Sequence, residues 1–128
     1  MPTSKEANVK LPDRKTGLAR VIAATGYSFA GLKLAIRSEA AFKQEFVLFL
    51  LLAPLGIWLG ESTVERILLV GVLLIVLIVE LLNTAVEAVV DRVSSDFHEL
   101  SRQAKDLGSA AVFISLSLVV FTWALLLL

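Results

Sequence analysis

After a polar start, the chain takes up a helical period of three and four and then changes to long apolar runs joined by short polar connections. Residues 1–16 are polar, with Pro2, Pro12 and scattered lysines, and read as a flexible tail. From Gly17 the apolar-facing positions are Leu18, Ile22, Thr25, Phe29, Leu32 and Ile36, joined by Val21. Arg20, Ser28, Lys33 and Arg37 fall largely outside that stripe. The spacing predicts an amphipathic helix over about 17–37 that is too charged to cross a membrane. Such a helix either lies along the membrane surface, with its basic side chains near the headgroups, or packs on a bundle of spans.

Three spans are predicted after it, at about 41–59, 64–89 and 107–128. Only Phe46 to Gly60 is wholly uncharged in the first, short of the roughly 20 residues that a crossing needs. The span therefore takes in the Lys43–Glu45 turn, with Lys43 snorkelling to the interface. Ser38 is placed to cap it, Pro54 to kink it, and Trp58 suits the far interface. Gly60 to Arg66 is a tight turn into the second span. Residues 91–106 form a polar connection whose later part is helical and leads into the third span. Gly108, Ser109, Ala110 and Ala111 are small enough there for close helix packing. The pattern describes an all-α membrane protein, with residues 17–128 as one domain.

Composition agrees. Of 128 residues, 57% are hydrophobic, above the roughly 45–50% usual in soluble domains, and the mean hydropathy is +0.82. There is no cysteine, which excludes disulfides and thiolate metal sites. His98 is the only histidine, which excludes a multi-histidine metal site within one chain. Zero net charge conceals an asymmetry: eight Lys/Arg against four acids in residues 1–45, and the reverse thereafter. No basic block points to nucleic acid. The polar N-terminus lacks a signal-peptide core, so the early apolar segment is expected to be retained. The basic residues concentrate before the first span and in the 91–106 connection, which places both on the cytoplasmic side. Gly26–Lys33 nearly mimics a phosphate loop, but its lysine does not directly follow the second glycine, so a Walker-type site is rejected.

One stretch breaks the apolar rule. Glu80, Asn83, Glu87 and Asp91 share one face of the second span, the three carboxylates within about 40° of one another at 100° per residue. Ionisable groups at membrane depth are costly and functional by default. Glu39 and Glu45 at the start of the first span, and Lys105 and Asp106 before the third, reach the same membrane level. This oxygen-rich set suits a hard cation such as magnesium, which takes one or two carboxylates together with substrate phosphates. Lys105 would neutralise phosphate charge, and a buried carboxylate could serve as general base. Cation, lysine and base beside lipid are the parts needed for phosphoryl transfer to a membrane alcohol.

The residues also carry a resemblance. Glu80-Leu-Leu-Asn-Thr-Ala-Val-Glu87-Ala-Val-Val-Asp91-Arg92, Asp96-Phe-His-Glu-Leu-Ser101 and Ala104-Lys-Asp-Leu-Gly-Ser-Ala-Ala111 resemble the prokaryotic diacylglycerol kinase family. Glu39-Ala-Ala-Phe-Lys-Gln-Glu45 and Gly26-Tyr-Ser-Phe-Ala-Gly-Leu-Lys33 match as well, so the resemblance covers about residues 17–128. It implies a homotrimer of three-span subunits in the bacterial inner membrane, each with an N-terminal surface helix and with active sites between subunits. ATP with magnesium would enter from the cytoplasm and diacylglycerol from the bilayer, giving phosphatidic acid. By motif, Glu80 is the general base, supported by Asn83, and Glu39 and Glu87 hold magnesium on ATP. Lys105 and Asp106 contact the nucleotide, as do Arg20, Tyr27 and the Asp96-Phe97-His98 segment. Lipid contacts fall on Arg20, on Ala24, Thr25, Gly26, Tyr27, Ser28 and Phe29, and on Lys33, Leu34, Ala35 and Ile36. Further lipid contacts are Ala41, Phe42, Lys43, Gln44 and Glu45, together with Arg66, Glu80, Ser109 and the end of the third span.

The sequence departs from the family in two places. The tail before Gly17 is longer than expected, so nothing is transferred to it, and Phe29 stands where tryptophan is common. The Glu99-Leu-Ser and Leu107-Gly-Ser-Ala-Ala wording resembles the diacylglycerol kinase branch. The alternatives are an undecaprenol kinase of the same family or a small proton-coupled transporter. The transporter would explain Glu80 but not the acids and lysine gathered at one membrane level.

Overall fold

A computed structural model describes residues 16–93 and 98–128, and every described element is α-helical. The helices are α1 (Gly17–Ser38), α2 (Ala40–Leu59), α3 (Thr63–Val93) and α4 (Glu99–Leu127). The last three are long and apolar enough to cross a membrane, and the chain is a multi-pass membrane protein. Two compact units divide within α1, at Leu32 and Lys33.

In the first unit, α1 begins at Gly17 with φ of 63°, a left-handed conformation that glycine adopts without Cβ strain. Its residues are exposed almost throughout, with Val21, Ile22, Tyr27 and Phe29 each 60% or more accessible. The Thr25 and Ser28 hydroxyls donate to the carbonyls of Val21 and Ala24, both at 2.9 Å.

In the second unit, α3 is the element on which the other spans pack. Leu69, Val72, Leu73, Val76, Leu77 and Glu80 are its buried residues. Steps of three and four put them on one face, and that face continues into half-buried Asn83 and Glu87. The acidic stripe is therefore the polar end of the face that packs inward. At about 1.5 Å per residue α3 is about 46 Å long, against a hydrocarbon core of about 30 Å. About 20 residues counted from Ile67, the first after Arg66, end near Val86. Glu80 then lies inside the apolar layer, and Glu87 and Asp91 lie at or beyond its edge.

Two contacts at opposite ends set the register of the α2–α3 hairpin. A Cβ on Gly56 would stand 3.2 Å from Leu69 Cβ and 3.3 Å from Trp123 Cζ2, so α2, α3 and α4 meet there. Eleven residues away along each helix (56 to 45, 69 to 80), Glu45 and Glu80 are close neighbours across the hairpin. The Trp123 indole donates to Leu69 O at 3.0 Å, tying α4 to the α3 backbone.

The turn is closed by side chains. Ser62 Oγ accepts from Glu65 N at 3.1 Å, and Glu65 Oε2 accepts from Glu61 N at 2.8 Å, a capping-box arrangement shifted by one residue. Arg66 Nε donates to Ile57 O at 2.9 Å, satisfying one of the free carbonyls at the end of α2. Gly60 leaves room for this: a Cβ there would stand 2.6 Å from Arg66 Cγ.

Three boundaries differ from the sequence reading. Ser38 does not cap α2; its hydroxyl donates back to Leu34 O at 2.6 Å and closes α1. The cap is Glu39, with extended backbone and no side-chain hydrogen bond. The second span runs on as helix to Val93, through the start of the expected polar connection, because Asp91 and Arg92 continue its period in water.

Candidate functional site

The site is built where α2 begins, α3 ends and α4 begins. Glu80 is 6% exposed, a carboxylate among apolar neighbours. Beside it Phe42, Leu77 and Ala35 form a buried cluster packed with Ile36, Phe46, Phe49 and Leu81. The Phe42 and Phe46 rings stack at 6.2 Å and 17°. This cluster fixes the α2 turn that carries Glu45. One carboxylate oxygen of Glu45, Oε2, is buried without a hydrogen-bond partner. The same residue lines an apolar groove of about 90 Å³ with Leu48, Phe49, Leu52, Leu73, Val76, Leu116 and Val119.

One turn along α3, Asn83 meets α4. Its Oδ1 is buried and unpartnered, and it occupies the position that a Cβ on Gly108 would take. A further turn or two along, Asp91 Oδ1 pairs with Lys105 Nζ at 2.8 Å, and Glu87 is near enough for its charge to act on the same ammonium. The hairpin register carries Glu39 to the level of Val86 and Glu87, six residues below the Glu45–Glu80 contact. Glu45, Glu80, Asn83, Glu87, Asp91 and Lys105 thus occupy one end of the bundle. Among the described residues no three His, Asp or Glu side chains gather closely enough to hold a metal ion by themselves.

The other named residues divide. Asp106 is held by Arg102 at 2.8 Å, and Arg102 also pairs with Glu99. His98 caps α4, its Nδ1 accepting from Leu100 N at 3.0 Å. Asp96 and Phe97 lie outside the described residues. Of the lipid-side residues, Lys33, Leu34, Ala41, Lys43, Gln44 and Ser109 are exposed, whereas Ala35 and Phe42 are core. Arg66 is at the other end of α3 from Glu87, bonded to Ile57. Arg20, Ala24, Thr25, Gly26, Tyr27, Ser28 and Phe29 are exposed on α1.

The sequence reading named Gly108 only as a small packing residue and left out the Ser62–Glu65 cap and the Trp123–Leu69 bond. Ser62-x-x-Glu65 is a readable capping signal. Nothing local in the sequence reports the other two.

Comparison with known proteins adds to this geometry. The model of the family described as prokaryotic diacylglycerol kinase matches residues 26–127. The chain belongs to that family. A diacylglycerol kinase of Escherichia coli (strain K12) is 49% identical over 117 residues, 91% of this chain and 96% of that protein. One from Pseudomonas aeruginosa is 53% identical over 114 residues, 89% of this chain and 93% of the relative. A more distant one from Helicobacter pylori (strain J99) is 34% identical over 117 residues, covering 91% of both chains. The matched region begins inside α1 and includes the whole of α2, α3 and α4.

Proposed function

We propose that this chain is a diacylglycerol kinase that transfers the γ-phosphoryl group of ATP to the free hydroxyl of sn-1,2-diacylglycerol, giving phosphatidic acid and ADP. The observation that carries the reading is the buried Glu80, in contact with Glu45 and on the same helix face as Glu87. A base inside the apolar layer reaches an alcohol that stays in the bilayer. Glu87, about 10 Å further along the helix at 1.5 Å per residue, reaches the water where nucleotide phosphate arrives.

Glu80 takes the proton of the acceptor hydroxyl as its oxygen bonds to the γ-phosphorus. The bond from that phosphorus to the β,γ-bridging oxygen breaks, and ADP leaves. Glu45 keeps a second acceptor beside the base, and its unpartnered Oε2 suits the donor hydroxyl of a glycerol headgroup. Lys105, on the exposed end of α4, trades Asp91 for the phosphate oxygens. Asp106, with His98 at the helix cap and Arg20 and Tyr27 on α1, would contact the nucleotide. Magnesium fits the remaining donors. Glu39 and Glu87 are half-buried carboxylates at one level, and Glu39 makes no cap bond that would occupy its side chain. Two carboxylates plus phosphate oxygens suit that ion, which when bound would spread the charge developing on the phosphoryl oxygens. Acceptor contacts would come from Ala41 to Glu45 and from Ser109.

The working form in this reading is a homotrimer in the bacterial inner membrane, with the N-terminus and the Glu87 end in the cytoplasm and with sites shared between subunits. The large apolar side chains exposed on all three spans can face lipid or pack against other copies.

The test is acceptor choice. Purified protein with ATP and magnesium is offered dioleoylglycerol or undecaprenol. The reading predicts phosphatidic acid with dioleoylglycerol and little product with undecaprenol; the reverse preference would move the chain to the other branch.

A further inference from the structure

Asn83 and Gly108 form a contact with a consequence for the reaction. The three heavy atoms that a Cβ on Gly108 would meet first are all in the Asn83 side chain: Oδ1, in outright overlap, Cγ at 3.2 Å and Cβ at 3.9 Å. Asn83 Oδ1 therefore lies along the direction in which Gly108 carries a hydrogen in place of a side chain. That is the arrangement of a weak Cα–H···O hydrogen bond, and it also fixes which way round the amide sits. The oxygen is buried against α4 without another partner. The amide nitrogen is not among the buried unpartnered atoms and donates to no acceptor among the described residues, so among those residues it is accessible with its N–H groups unused. Asn83 stands one turn from Glu80 and one from Glu87 on the same face, and Gly108 follows Lys105 and Asp106 by less than one turn.

We propose that Gly108 is a positioning residue for phosphoryl transfer: its bare Cα seats the Asn83 oxygen against α4 and so presents the amide N–H donors to the reacting groups between Glu80 and Glu87. The same contact sets the spacing between the helix that carries the base and the helix that carries Lys105. A methyl group at 108 would push the amide out of its seat or force α4 away. Either change moves a donor that must meet developing charge, and small displacements of such groups have large kinetic effects. The proposal rests on the kinase reading above.

The experiment is a double-mutant cycle of Gly108→Ala and Asn83→Ala, with diacylglycerol kinase kinetics and thermal unfolding measured on purified protein in detergent micelles. Truncating Asn83 removes Oδ1 and Cγ and leaves only its Cβ, at an ordinary contact distance from a new methyl at 108. Gly108→Ala alone is expected to lower kcat about 100-fold, with KM for ATP and for diacylglycerol within about twofold of wild type. In the Asn83→Ala background the same change should cost nothing further in kcat or in unfolding temperature. Equal losses in both backgrounds, wild-type kcat in Gly108→Ala, or a loss confined to stability with normal kcat per folded molecule would each overturn the positioning role. A wild-type protein that makes no phosphatidic acid would instead refute the reaction itself, and the positioning role with it.

Discussion

Lys105 Nζ stands 2.8 Å from Asp91 Oδ1 and ties the start of α4 to the end of α3. Both side chains are about half exposed or more. Such pairs contribute about 0–1 kcal/mol, so the bridge is weak as a structural tie. It does hold a cation beside Glu87, at the edge of the apolar layer, with a partner that phosphate can replace.

Asp91→Asn should therefore leave stability within about 1 kcal/mol of wild type and lower KM for ATP, because phosphate loses its competitor for Lys105 and the site loses a negative charge. Lys105→Met should raise KM for ATP and lower kcat together. Steady-state kinetics across ATP concentration, with unfolding midpoints alongside, separates the two effects. An Asp91→Asn protein that unfolds several degrees early would make the pair a structural tie instead.

Glu39→Gln and Glu87→Gln should each raise the magnesium concentration needed for half-maximal rate or abolish turnover, read from magnesium titrations at fixed ATP. A variant with the wild-type titration curve does not hold the ion. Mixing inactive Glu80→Gln and Glu87→Gln subunits should restore part of the activity if each site draws on two chains. Mixed oligomers that stay inactive would place the site within one chain.

At the opposite end of the bundle, Trp123→Phe should cost about 1 kcal/mol, the net worth of the indole bond to Leu69 O. Gly56→Leu should cost about 1–3 kcal/mol by overpacking the Leu69–Trp123 contact. Thermal unfolding measures both. Neither change touches the Glu80 end, so kcat of the folded fraction should stay near wild type.

The parts of this molecule that the sequence made legible are those governed by periodicity and by the cost of charge in lipid. The spans, the amphipathic helix α1 and the convergence of Glu45, Glu80, Asn83, Glu87, Asp91 and Lys105 all follow from those two rules. Boundaries were harder, because local hydrogen bonds decide them. Ser38 could cap α2 or close α1, and the Leu34 carbonyl captured it. The extension of α3 to Val93 was hidden because Asp91 and Arg92 read equally well as loop or as solvated helix. Contacts between distant residues were the least legible. Glycine at 108 looks like any small residue until Asn83 is seen filling its missing side chain. Nor does anything local announce that Arg66 closes a turn by bonding Ile57 O.

Everything proposed for this site depends on Glu80 as the base that serves a bilayer alcohol. The direct measurement is phosphatidic acid formation by purified wild-type protein and by Glu80→Gln, with ATP binding and oligomer size checked in parallel. The account predicts ready magnesium-dependent turnover of dioleoylglycerol by wild type. It predicts a loss of about 10²–10⁴-fold or more in Glu80→Gln, with ATP affinity and assembly unchanged. Wild-type turnover in Glu80→Gln would contradict it.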